Sequence, residues 1–84
     1  MAFDLRQLRY ALAAAEYRSF RRAADVLRVK ESTLSRRIRQ MEERLGVTLF
    51  ERSRSGVRPT IAGAEFLRPA RRVVDDVDAM AVLA

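Results

Sequence analysis

The chain has 84 residues, seventeen Lys and Arg against eleven Asp and Glu, a formal net charge of +6, and neither cysteine nor histidine. That length allows one domain with one small core, because so short a chain buries only about 60% of the surface it exposes when unfolded. The missing Cys and His exclude disulfide staples, thiolate and imidazole metal sites and the usual nucleophile–base pairs. No catalytic residue set, metal or cofactor is implied. No apolar run approaches the ~20 residues that span a bilayer, and the N-terminus has no signal-peptide pattern, so the expected location is the cytoplasm.

The charge is unevenly spread. Sixteen of the seventeen basic residues are arginine, Lys30 being the exception. A GC-rich genome accounts for part of that bias, but the guanidinium fork also suits phosphate and guanine edges. From Arg18 to Arg58 there are twelve basic residues against five acidic ones (Asp25, Glu31, Glu42, Glu43, Glu51), a net of +7. From Val73 onward there are Asp75, Asp76 and Asp78 and no base. A positive field concentrated in mid-chain is what a docking face for a polyanion requires.

In chain order, Asp4 is a good N-cap, with Gln7 three residues on and Phe3 placed to staple onto Leu8. Leu5, Leu8, Leu12 and Ala15 then recur at helical spacing, predicting a helix from Leu5 to Tyr17. Ser19 caps a second, short amphipathic helix in which Phe20, Ala23, Ala24 and Leu27 share a face. In the third pattern Leu34, Ile38, Met41 and Leu45 form the apolar stripe, Gly46 supplies the left-handed end, and Val47 is placed to pack back on Met41. The face opposite the stripe holds Ser32, Arg36, Arg39, Gln40 and Glu43, flanked by Thr33, Ser35 and Arg37.

Between Leu49 and Thr60 the helical period disappears. Leu49 to Arg52 and Val57-Arg58 read as two short strands around Ser53-Arg54-Ser55-Gly56, with Gly56 as the permissive turn residue. Thr60 then caps a last helix. Along it Phe66, Ala70, Val73, Val77 and Met80 follow a coiled-coil period, and Pro69 predicts a kink near Glu65–Arg68. The fold class expected is mainly α: a winged helix-turn-helix, with a three-helix core and a small β-hairpin wing over 1–60, followed by a long linker or dimerisation helix over 61–84. In that plan the second helix of the pair, here about 31–45, lies in the major groove, and the wing, 50–60, meets the backbone or the adjacent minor groove.

Several blocks resemble the LysR-type transcriptional regulators. They are Leu5 to Tyr10, Ser19 to Ala24, Leu34 to Glu42, Leu45 to Arg52, and Thr60 to Gly63, in order and without gaps. The resemblance implies an N-terminal DNA-binding module, a linker helix that pairs between subunits, and a larger C-terminal domain that binds a small effector. That last domain is absent from these residues, so the chain reads either as a fragment or as a regulator that has lost its sensor, and a sequence ending inside the linker helix favours the fragment. Only such a domain would bring a small-molecule effector.

The DNA-binding candidates are Ser19, Arg21, Lys30, Glu31, Ser32, Thr33, Ser35, Arg36, Arg37, Gln40, Arg52, Arg54 and Arg58. Ser35 and Arg36 lead the set. Arg39 has a competing role as the partner of Glu42 or Glu43 one turn on. Ser32 and Thr33 stand equally as base contacts and as local caps. Ser19 is a cap that also presents a helix N-terminus to phosphate. Arg54 reads equally as a solvated loop tip, whereas the Phe-x-Arg pattern ending in Arg52 resembles the family's phosphate anchor. Where the family commonly has Ser-Gln-Pro-Ala, this chain has Lys30-Glu31-Ser32-Thr33. Lys30 cannot cap, so Ser32 is expected to cap a helix that starts later. Glu31 accepts only, which suits a cytosine amino group where glutamine would suit adenine.

The dimerisation seam expected is Phe66, Ala70, Val73, Val77 and Met80, since one copy cannot bury it in so small a module. Leu8, Leu12, Phe20, Ala24, Leu27, Leu34, Ile38, Met41, Leu45 and Phe50 are expected to be core. The competing function is a basic architectural protein that holds nucleic acid by counterion release without reading sequence. A membrane-surface helix is disfavoured because the arginines fall on several elements, and single-stranded RNA binding because exposed stacking aromatics are lacking.

Overall fold

The computed structural model describes all residues, Met1–Ala84. Four helices and one hairpin follow in the order α1 (Leu5–Tyr17), α2 (Phe20–Leu27), α3 (Glu31–Leu45), β1 (Phe50–Ser53), β2 (Gly56–Pro59) and α4 (Ile61–Leu83). α1 is the hub, packing against α2, α3, α4 and β2. Seventeen buried apolar side chains form one core, with Leu34, Ile38, Met41 and Leu49 the largest that are fully enclosed. Each such side chain contributes roughly 1.5–3 kcal/mol of burial. Leu27 and Leu45, expected in the core, lie half-buried at its edge, whereas Tyr10 is buried.

Local chemistry sets most boundaries. Asp4 and Gln7 form a reciprocal capping box, the Gln7 amide donating to Asp4 Oδ1 at 2.8 Å and the Asp4 amide to Gln7 Oε1 at 2.9 Å. Gln7 is itself buried, and its Nε2 donates to the Arg37 carbonyl in mid-α3 at 3.2 Å, fastening α1 to the third helix. The ring of Phe3, the expected staple, meets Phe66 of α4 edge-on at 5.4 Å. α1 and α2 each end on a left-handed arginine, Arg18 (φ 54°) and Arg28 (φ 58°), where glycine would be the unstrained choice.

Two expectations are corrected, those for Ser32 and Val47. α3 starts at Glu31 with Lys30 in the N-cap place and no side-chain cap, so Ser32 does not cap a later start: it lies inside the first turn. The expected Ser53-Arg54-Ser55-Gly56 turn forms, closed by the Ser53–Gly56 pair, and Gly56 takes the permissive conformation at φ 125°. It also opens β2, where an added Cβ would strike the Arg18 carbonyl oxygen. That same oxygen accepts the Val57 amide at 3.1 Å, so the end of α1 occupies the edge of the wing. Val47 is left exposed and does not return to the core, although its amide closes the end of α3 on the Glu42 carbonyl at 3.2 Å. α4 runs as one continuous helix past Pro69. The carbonyl that loses its donor there belongs to Glu65, and both residues are exposed, so water can take its place.

The first half of α4 belongs to the same core as residues 1–60. Gly63, Leu67, Ala70 and Val74 are buried, and Thr60 bolts the root of the helix in place. Its amide donates to the Leu49 carbonyl at 2.9 Å and its hydroxyl to the Thr48 carbonyl at 2.6 Å, while Oγ1 caps the Gly63 amide at 2.9 Å. No helix is long and apolar enough to cross a membrane.

Candidate nucleic-acid interface

α3 is anchored by Leu34, Ile38 and Met41, all fully buried, and this fixes which side chains face out. Lys30, Glu31, Ser32, Arg36, Arg39, Gln40 and Glu43 are exposed, while Thr33, Ser35 and Arg37 are half-buried along the flanks. The sequence-predicted residues of this helix therefore share one surface. Its first turn is open as well, since neither Glu31 nor Ser32 is spent on a cap.

The start of α2 adjoins the root of the wing. Ser19 Oγ accepts the Arg22 amide at 3.1 Å, the capping role, and Arg21 stands exposed beside it. The Phe20 ring that follows packs edge-on to Phe50 at 5.8 Å, and the Arg52 guanidinium lies 4.6 Å above the Phe20 centroid. Stacking on an aromatic face holds an arginine with its donors directed outward. The structure thus brings Arg52 onto Phe20, the residue between Ser19 and Arg21, a contact that no sequence spacing could show.

Arg58 does not join them. The hairpin register pairs Glu51 with Arg58 and Arg52 with Val57, and adjacent rungs of a ladder face opposite ways. Val57 is buried, so Arg52 shares the face turned to the body, while Arg58 lies on the other face, 3.6 Å from Glu51. Arg54 stands at the tip of the turn. Along the expected seam of α4, Ala70 is buried and Phe66 packs on the core of its own chain; Val73 and Met80 are exposed and Val77 is half-buried.

The ion pairs fall mostly elsewhere. Arg9 meets Asp78 at 2.7 Å, and Arg71 lies 3.8 Å from Glu16 and 4.0 Å from Asp75, all between α1 and α4 or within α4. On α3 no arginine has an ion-pair partner. Arg39 in particular does not pair with Glu42, whose Oε2 instead accepts the amides of Leu49 at 2.7 Å and Phe50 at 3.3 Å.

Residues 5–64 match the profile of the bacterial regulatory helix-turn-helix proteins of the lysR family. The chain belongs to the LysR family. Among its LysR-family relatives, the HTH-type transcriptional regulator TfdS of Cupriavidus pinatubonensis is 47% identical over 72 residues, which are 86% of this chain and 24% of that protein. The DNA-binding transcriptional dual regulator OxyR of Escherichia coli K12 is 43% identical over 81 residues, 96% of this chain and 27% of its own. The chain therefore spans about a quarter of the length of these relatives. Among solved structures, the BenM DNA-binding domain in complex with catB site 1 DNA superposes with a TM-score of 0.91 at 40% identity, covering 96% of this chain and 91% of that one. The fold is that of a LysR-type DNA-binding domain, a winged helix-turn-helix with its linker helix.

Proposed function

We propose that this chain is the sequence-reading module of a LysR-family transcription regulator, a homodimer that binds double-stranded DNA. α3 lies in the major groove, the wing follows the backbone towards the minor groove, and two copies join through α4. The observation that carries this reading is the state of the cations. Of the twelve basic residues from Arg18 to Arg58, only Arg58 has an ion-pair partner. Unpaired arginines on one helix face, beside a stacked arginine on the wing, leave a field that a polyanion can close. The BenM domain that this chain resembles is itself seen with DNA.

Within this reading Ser35, Arg36, Arg37 and Gln40 approach DNA from the helix, Lys30 to Thr33 from its first turn, and Arg52 with Ser19 and Arg21 from the backbone side. Arg54 and Arg58 contribute from the tip and the outer face of the wing. Val73, Val77 and Met80 supply the exposed part of the seam between copies, continuous with Phe66 and Ala70. The module is non-enzymatic and cytoplasmic, and any small-molecule effector acts through a C-terminal domain of the kind the family carries.

Glu31 sets a testable preference. An exposed carboxylate in the first turn of α3 accepts hydrogen bonds and cannot donate them, so it favours the cytosine amino group. Duplexes bound from a randomised pool at physiological salt should enrich an interrupted inverted repeat, with half-sites one helical turn or a multiple apart. Glu31→Gln should change one base per half-site, from cytosine towards adenine. Binding without enrichment would favour the architectural reading; an unchanged selected site would remove Glu31 from the readers.

A further inference from the structure

Glu42 is spent in an unexpected way. It lies in the last turn and a half of α3, on a helix otherwise rich in free arginines, with Arg39 one turn before it. A surface glutamate there would take the arginine. Instead its half-buried carboxylate leaves the helix and accepts two successive amides, Leu49 and Phe50, where the chain enters β1. Bonds from amides to a charged acceptor are about twice as strong as neutral ones. Glu42 is also the only α3 side chain that hydrogen-bonds the wing segment; the other ties there come from Thr60 and from the Arg18 carbonyl.

The fixed point lies close to a DNA contact. Phe50 and Arg52 are two residues apart on one face of β1, and both meet the Phe20 ring, Phe50 edge-on and Arg52 above it. A restraint on Phe50 is therefore a restraint on where the guanidinium sits relative to α3.

We infer that Glu42 is a positioning residue, holding Arg52 at a set offset from the reading face of α3. One subunit then makes its base contacts and its wing phosphate contact in register. This inference rests on the DNA-binding reading proposed above. Freeing the wing should cost the Arg52 contact while leaving the α3 face intact. Because the same side chain is withdrawn from Arg39, it neutralises none of the arginines offered to DNA.

The test is a double-mutant cycle on the 84-residue chain, with a duplex selected by the wild type and binding measured across a salt series. Arg52→Ala should weaken binding about 10-fold and lower the salt slope by about one phosphate contact. Glu42→Ala should do nearly the same alone, yet cost less than about 2-fold when added to Arg52→Ala, because the contact it supports is already gone. Glu42→Gln, a neutral acceptor, should lie between, with faster amide exchange at Leu49 and Phe50. It carries the test should Glu42→Ala fail to fold, by the same cycle at smaller size.

Additive losses from Glu42→Ala and Arg52→Ala would overturn the inference while leaving DNA binding in place. So would a Glu42→Gln variant with wild-type exchange and wild-type slope. A wild-type chain that binds no duplex would overturn the DNA reading itself, and the role of Glu42 with it.

Discussion

Two arginine-bearing regions of this small domain behave in opposite ways. Between α1 and α4, Arg9 and Arg71 are matched by Asp78, Glu16 and Asp75 at 2.7 to 4.0 Å, and the charges close on one another. Across α3 the same residue type has no acidic partner, although Glu31, Glu42 and Glu43 share the helix. Composition does not distinguish the regions; the disposition of the carboxylates does. Glu31 and Glu43 stand exposed without an ion pair, and Glu42 serves backbone amides. The α1–α4 flank closes charge on charge, and the α3 face leaves its arginines unpaired.

The comparison breaks most severely if the floor common to both regions is lifted. Gly63 in α4 lies under Leu49, and an added Cβ would run into the Leu49 carbonyl oxygen, a backbone atom that cannot swing aside. Gly63→Ala should therefore destabilise the domain by about 2–3 kcal/mol in urea unfolding. Gly46→Ala serves as the contrast. Its Cβ would meet nothing within 4 Å, so only the left-handed φ of 70° is penalised, by about 1 kcal/mol. Equal effects at the two glycines would mean that α4 is not seated against the wing root.

A smaller effect sharpens the paired side. The hydrogen bond from Arg9 holds the Asp78 carboxyl below its ordinary value; the charges of Arg9 and Arg71 add to this, and burial opposes it. Arg9 is raised in turn, chiefly by the same bond. Because folding lowers the Asp78 pKa, its stabilisation is complete above the range where an unfolded carboxylate titrates. It is lost as pH falls through the lower folded value. Asp78→Asn should thus lower Tm slightly at neutral pH, and the difference should vanish in acid. Both groups are exposed, so added salt should shrink it too. A difference that survives acid would remove the ion pair as its cause.

What could be read from the sequence follows the range of the forces involved. Helix ends were legible because their causes are local: the Asp4–Gln7 box, Ser19, Gly46 and Thr60 each act within a few residues. The outward face of α3 was legible because the apolar stripe fixes its opposite. The purpose of Gly56 was not, since the obstacle is the carbonyl of Arg18, which only the fold brings there. Helical spacing offers Glu42 and Glu43 alike as partners for Arg39; the amides that Glu42 meets instead lie beyond the helix end, where spacing does not reach. Along α4 the sequence offers one coiled-coil period, and the fold divides it between two faces. Two stripes of the same period run along the helix and share Ala70, an inner one through Gly63, Leu67 and Val74 and an outer one through Val73, Val77 and Met80. Period alone cannot tell which stripe meets the chain's own core.

The most direct test of the contrast compares Arg36→Ala with Arg9→Ala on one selected duplex at physiological salt. Arg36 is exposed and unpaired on α3, whereas Arg9 is held by Asp78. If the unpaired arginines read DNA, Arg36→Ala should bind about 10- to 100-fold more weakly and discriminate less between selected and unrelated duplexes, while Arg9→Ala stays within about 2-fold of wild type. Equal losses at the two positions, with discrimination preserved, would show that net charge and not the α3 face does the binding.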